Sequence, residues 1–206
     1  MVLHLASANL GKLREFQQAA RPLEIEVRAL PGFSEIAPCV EDAATFEENA
    51  RKKALYYSRF TPELVLADDS GLSVDALGGA PGVLSARFAG PDSTDEANNR
   101  KLLEELRRVA GGPVMAGSEP PQSSRDAHYI CVIVLARQGR ILTTVKGRVD
   151  GRIIDNPRGS NGFGYAPHFY YPPFGKTFAE VTADEKFAVS HRGEAFRKLL
   201  EFLRER

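Results

Sequence analysis

Leu64-Val65-Leu66-Ala67-Asp68-Asp69-Ser70-Gly71 passes from a short apolar run straight into two adjacent carboxylates. The apolar part reads as a buried strand. Two neighbouring carboxylates at the end of such a strand repel each other and resist desolvation, and a divalent cation relieves both problems. The same residues also suit a polar turn, because Asp, Ser and Gly are ordinary turn formers. The rest of the chain decides between a metal site and a turn.

Working outward, Val2 to Ala6 fits a short buried strand, and Ser7-Ala8-Asn9-Leu10-Gly11 then turns into a helix with Leu13, Phe16, Ala19 and Ala20 at helical spacing. Residues 24–29 alternate as a half-buried strand does. Thr45-Phe46-Glu47-Glu48 is a capping box that opens a helix to about Phe60, which leads into the strand ending at Asp68. Downstream, Gly78-Gly79-Ala80-Pro81-Gly82 marks a tight loop, and Ser93 or Thr94 caps a helix through about Val109. Residues 110–126, rich in Gly, Pro and Ser, read as a surface loop. Tyr129–Ala136 and Ile141–Val149 form a predicted β-hairpin joined at Gln138-Gly139. A last helix spans about Arg192 to Arg204, with Phe196, Leu199, Leu200 and Leu203 on one face. Strands and helices mix without strict βαβ alternation. This predicts an α/β fold with a mixed central sheet, organised as one domain over residues 1–206 or as two lobes folding together.

Composition narrows the functional classes. The 206 residues carry 27 basic and 27 acidic side chains, a balance that points away from non-specific nucleic-acid or membrane binding. No apolar run approaches the ~20 residues that span a bilayer, and the first residues lack a signal-peptide pattern. Cys39 and Cys131 match no CxxC motif and are expected to be reduced and buried. A cytoplasmic protein is expected.

Four constellations could carry chemistry. Ser7 to Lys12 is a strand-to-helix turn whose N–H groups and lysine suit a phosphate, although an ordinary N-cap beside a solvated lysine has the same sequence. Glu41-Asp42 could join Asp69 around a metal or form a solvated acidic loop. In Gly159-Ser160-Asn161-Gly162-Phe163-Gly164-Tyr165 the glycines let backbone approach a flat ligand on which Phe163 or Tyr165 could stack; a glycine-rich turn over core aromatics fits as well. Lys186 and Ser190-His191-Arg192-Gly193 place cations before and at a helix start, where the helix dipole disfavours them unless an anion joins them. Carboxylates, cations and a backbone anion nest together suit metal-assisted hydrolysis of a nucleoside polyphosphate.

Six motifs occur in order: Ser7 to Lys12, Thr45 to Ala50, Ala67 to Leu72, Gly78 to Gly82, Phe163-Gly164-Tyr165 and Ser190 to Gly193. With them the chain resembles the inosine/xanthosine triphosphate pyrophosphatase family from residue 2 to about 203. The resemblance implies two lobes around a deep nucleotide-binding cleft, a homodimer, and Mg²⁺-dependent hydrolysis of ITP, dITP and XTP to the monophosphate and pyrophosphate. It further implies that Ser7, Ala8, Asn9, Leu10, Gly11 and Lys12 bind the triphosphate, and that Glu41 and Asp69 hold Mg²⁺ with Asp68 in support. Asp69 would also activate water, and Ser70 would contact the substrate. Phe163, Gly164 and Tyr165 would bracket the base, Lys186 would reach phosphate or base, and His191 with Arg192 would read the 6-oxo edge. Donors at that edge reject adenine, whose 6-amino group would leave them unpaired; guanine shares the 6-oxo group, so its exclusion falls to the 2-position.

Two departures stand out. Ala166 occupies the place where the family usually has Asp after Phe-Gly-Tyr, and Phe187 follows Lys186 where a polar residue is common. A Maf-type pyrophosphatase acting on pyrimidine or modified nucleotides, and a nucleotide-binding sensor without catalysis, are the rival readings.

Overall fold

The computed structural model describes residues 1–21, 24–110 and 125–205. Seven strands form one sheet in the order β2-β1-β3-β4-β5-β6-β7. These are β1 (Val2–Leu5), β2 (Glu26–Ala29), β3 (Leu64–Val74), β4 (Asp126–Arg137), β5 (Arg140–Ile153), β6 (Phe169–Tyr171) and β7 (Lys176–Thr177). β1 pairs in parallel with β2 and β3, whereas β5–β6 and β6–β7 are antiparallel, so the sheet is mixed as expected. The helices are α1 (Leu10–Ala20), α2 (Phe46–Tyr57), α3 (Asp95–Val109), α4 (Ala183–Val189) and α5 (His191–Arg204).

The chain divides into two compact units. The first comprises Met1–Ser70, Cys131–Arg148 and Phe187–Arg206, and the second Gly71–Ile130 and Val149–Lys186. In the first unit, α1 and α5 lay their apolar stripes on the sheet, with Phe16, Phe196, Leu199, Leu3, Leu5, Leu66 and Ile133 in one buried cluster. Phe16 and Phe196 meet at 5.3 Å between ring centroids. Each such side chain contributes about 1.5–3 kcal/mol by leaving water. Phe187 packs edge-on against Phe196, so an apolar residue there serves the core. The second unit has an aromatic core in which Phe169 lies 4.7 Å from Tyr129 and 4.9 Å from Phe178.

Several expectations are corrected. The carboxylates do not end a strand: β3 continues through Asp68 and Asp69 to Val74, which excludes the turn. The hairpin strands reach further than their apolar runs, and α4 precedes the last helix where no helix was expected. α2 stops at Tyr57 rather than Phe60. Of the expected loop 110–126, residues 111–124 lie outside the described residues, Arg125 is buried on Asp155, and Asp126 already belongs to β4. Cys131 is buried, but Cys39 is only partly covered. Among the described residues no helix is long and apolar enough to cross a membrane.

Candidate active site

The parallel pairing of β1 with β3 matches Leu3 to Leu64 and Leu5 to Leu66, and the Ala6 N–H donates to the Leu66 carbonyl at 2.9 Å. The turn that leaves β1 is therefore set beside the carboxylates that follow Leu66. Ligands of open α/β sheets characteristically bind off the carboxyl ends of parallel strands. In that turn Asn9 caps α1, its Oδ1 accepting the Lys12 N–H at 3.0 Å, and the Asn9 N–H donates to Ser7 Oγ at 3.2 Å. Ala8 and Leu10 are exposed, and Gly11 lies in the first helical turn. The N-cap is the ordinary one, but Lys12 is not solvated: its Nζ lies 2.9 Å from Asp68 Oδ2.

Because side chains alternate along a strand, Asp68 and Asp69 leave β3 on opposite faces. Asp68 lies on the face of α1 and α5 and is 1 % exposed. Its Oδ2 meets Lys12, accepts from Ser70 Oγ at 3.2 Å and lies 3.8 Å from Arg192 Nη2. Burial raises the pKa of this carboxyl, yet Lys12, Arg192 and Lys53 together hold it below the usual carboxylate range. Asp69 lies on the face of α2, where Lys53 Nζ sits 3.2 Å from Asp69 Oδ1 and 2.8 Å from Glu41 Oε2. Burial and the Asp68 charge push the Asp69 carboxyl up, against the pull of Lys53 and Lys12. Burial works against the Lys53 charge, but Asp69, Asp68 and Glu41 more than offset it and raise its pKa.

Glu41 is thus no free acidic loop residue, whereas its neighbour Asp42 is exposed and pairs with Lys52. No group of three or more His, Cys, Asp or Glu side chains poised for a metal occurs among the described residues. Mg²⁺ does not require one, since it commonly uses one or two carboxylates and completes its shell with water and phosphate. Two observations fit it here: Glu41 and Asp69 already share one cation, and Asp69 Oδ2 is buried with no hydrogen-bond partner.

Ser190 caps α5, so His191 and Arg192 are its first residues; both are buried rather than exposed. Their charge misfit at a helix start has a local answer, because Arg192 pairs with Glu15 on α1 and donates to Ser70 Oγ at 2.9 Å. Burial weighs against this guanidinium, and Glu15 and Asp68 reverse the effect and hold it charged. In the second unit Phe163, Gly164, Tyr165 and Lys186 form their own group: Lys186 Nζ stands 5.1 Å from the Phe163 ring centroid, and the buried Tyr165 hydroxyl donates to the Ser85 carbonyl at 2.8 Å. Ala166 is buried beside them.

The residue-by-residue reading missed Lys53 and Glu15. A lysine on the face formed by Asn49, Ala50, Ala54 and Tyr57 was the available signal for Lys53, since that whole face is buried. Glu15 follows Lys12 by three residues and so shares its side of α1.

The Ham1 family model matches residues 3–202. The chain belongs to the Ham1 family. It is 49 % identical over 204 residues to the dITP/XTP pyrophosphatase of Syntrophobacter fumaroxidans, covering 99 % of this chain and 81 % of that one. The dITP/XTP pyrophosphatase of Desulforamulus reducens is 45 % identical, with 98 % and 96 % covered. Among solved structures, the HAM1 protein of Coxiella burnetii superposes with a TM-score of 0.84 at 40 % identity over 100 % of both chains. The Staphylococcus aureus Ham1 protein gives 0.81 at 36 % identity, covering 100 % of this chain and 99 % of that one. The mixed sheet with flanking helices is thus the Ham1 fold.

Proposed function

We propose that this Ham1-family chain hydrolyses dITP, ITP and XTP to the nucleoside monophosphate and pyrophosphate, with Mg²⁺, and so clears non-standard purines from the nucleotide pool. The observation that carries the reading is Asp69: a buried carboxylate with one unpartnered oxygen, flanked by Glu41 and Lys53. The relatives named dITP/XTP pyrophosphatase supply the substrate class.

Glu41 and Asp69 would hold Mg²⁺, and Asp68 supports them from the opposite face of β3. When bound, the ion supplies positive charge to the phosphate oxygens and the departing pyrophosphate. Asp69 takes a proton from the attacking water, whose oxygen bonds to the α-phosphorus as the bond to the bridging oxygen breaks. A carboxyl whose pKa is raised by burial is a better proton acceptor than a solvated one, provided it is ionised at the working pH. The Ser7–Lys12 turn binds the triphosphate, and Lys12 and Lys53 offset its charge. Arg192, pre-aligned by Glu15 and Ser70, donates with His191 to the 6-oxo edge. Ser70 contacts the substrate, Lys186 reaches phosphate or base, and Phe163, Gly164 and Tyr165 bracket the base. The two-lobed cleft, the homodimer and the cytoplasmic setting belong to the same proposal.

Pyrophosphate release across ITP, XTP, dITP, GTP, ATP and dTTP, with and without Mg²⁺, tests it. The three non-standard purines should lead, and only with Mg²⁺. A lead for dTTP would favour the Maf-type reading; tight ITP binding without pyrophosphate release would favour the sensor.

A further inference from the structure

We infer that Asp95 and Asn99 of α3 are positioning residues that fix the Phe163–Tyr165 segment and thereby set the enzyme's base discrimination. The inference rests on the proposed function, in which that segment contacts the base.

Phe163 stands between two glycines with left-handed backbone, Gly162 at φ +81° and Gly164 at φ +66°. Glycine enters and leaves that region at little cost, so the local chain does not by itself hold the Phe163 ring in place. Lys186 over the Phe163 ring and the Tyr165 hydroxyl on Ser85 hold the segment's two flanks, and α3 holds the glycine between them. Asp95 Oδ2 accepts the Gly164 N–H at 2.6 Å, and Asn99 Nδ2 donates to the Gly164 carbonyl at 3.0 Å. Both backbone groups of one loop residue are therefore met by side chains of one helix, much as a neighbouring strand would meet them. The i, i+4 spacing puts Asp95 and Asn99 on the same face, and Asn99 Nδ2 also donates to the Asp95 carbonyl at 2.9 Å, which ties the pair together.

The clamp is itself well anchored. Thr94 caps α3, and Asp95 is the first helical residue, where the helix dipole favours its negative charge. Asn99 is buried, so its hydrogen bonds are costly to lose. A cavity of about 560 Å³, bordered by Asp95, Asn99, Gly162, Phe163 and Gly164, adjoins the clamp. With the clamp gone, that volume gives the loop room to shift and Phe163 to lose its alignment. The adjacent Asn98 is also buried but holds residues 86–89, accepting the Ala89 N–H at 2.8 Å and donating to the Ala86 carbonyl at 3.2 Å. It separates loss of helix anchoring from loss of base positioning.

The test compares kcat/KM for ITP and ATP in the Mg²⁺-loaded enzyme for wild type, N99A, D95A, D95N and N98A. A base held out of alignment loses binding shared by ground and transition states, so KM for ITP should rise with kcat little changed. The ITP-over-ATP ratio should fall about tenfold or more in N99A and D95A, the size of one lost hydrogen-bonded discrimination. D95N keeps an oxygen for the Gly164 N–H and should recover most of the ratio. N98A should lower the Tm and leave the ratio alone. If N99A does not fold, D95A against D95N decides. Equal losses on ITP and ATP in D95A or N99A, with the ratio kept, would overturn the inference. A wild-type enzyme that does not prefer ITP to ATP would overturn the functional reading instead.

Discussion

Replacing Lys53 by methionine removes the ammonium shared by Glu41 and Asp69 while keeping most of the volume of its aliphatic stem. The side chains of Lys53 and Asp69 are 8 % and 13 % exposed, whereas Glu41 is 37 % exposed. Breaking a buried pair by deleting one partner costs about 3–5 kcal/mol, because the remaining charge is stranded. The better-solvated Glu41 adds no more than about 1 kcal/mol. K53M should therefore lose about 3 kcal/mol in EDTA, the low end of the buried-pair range, which for a chain of this length is a Tm fall of about 6–12 °C. On the proposed function Mg²⁺ should reverse part of the loss, since the ion would draw on the same two carboxylates as the lysine. A ligand at a hundred times its Kd stabilises by about 2.7 kcal/mol, so the Mg²⁺-dependent gain should be larger in K53M than in wild type. Thermal unfolding followed by circular dichroism, in EDTA and across a MgCl₂ titration, measures both quantities. A Tm in EDTA within about 2 °C of wild type, or equal gains from Mg²⁺ in the two proteins, would refute the reasoning.

Further outcomes follow from the same geometry. D69N should lower pyrophosphate release about 10²–10⁴-fold while melting close to wild type, since Lys53 keeps the Glu41 carboxylate at 2.8 Å and an amide oxygen still accepts from it; release assays and a thermal melt check this together. R192K cannot bridge Glu15 and Ser70 at once, and urea unfolding should show a loss of about 1.5–3 kcal/mol. G71A would drive a Cβ into Ser85 Oγ and to 2.7 Å from the Gly82 carbonyl, so urea unfolding should show about 1–3 kcal/mol of destabilisation from overpacking.

The strand, capped helices and hairpin were readable because each has a local cause. Thr45 accepts the Glu48 N–H, Thr94 that of Ala97 and Ser190 that of Gly193, and each cap bonds within its own first turn. The extent of β3 was not readable in this way. Asp-Asp-Ser-Gly has turn chemistry by composition, and it continues as strand because Asp68 finds Lys12, Ser70 and Arg192 while Asp69 finds Lys53. α4 was missed for a similar reason: only 7 residues long, it offers too few turns for an apolar periodicity to show.

By itself the sequence determined the mixed α/β class, the order of β1 to β5 with α1, α2, α3 and α5, and which residues could do phosphate and metal chemistry, since these depend on side-chain type and short spacing. Tertiary structure alone decided their allocation. It placed the two adjacent aspartates on opposite faces of one strand, because a pleated backbone turns successive side chains apart. It brought Lys12 and Arg192 to one carboxylate and Lys53 to the other, because parallel pairing and helix packing join residues far apart in the chain. A buried charge must find its partner wherever the fold supplies one, and only the packed structure says where that is.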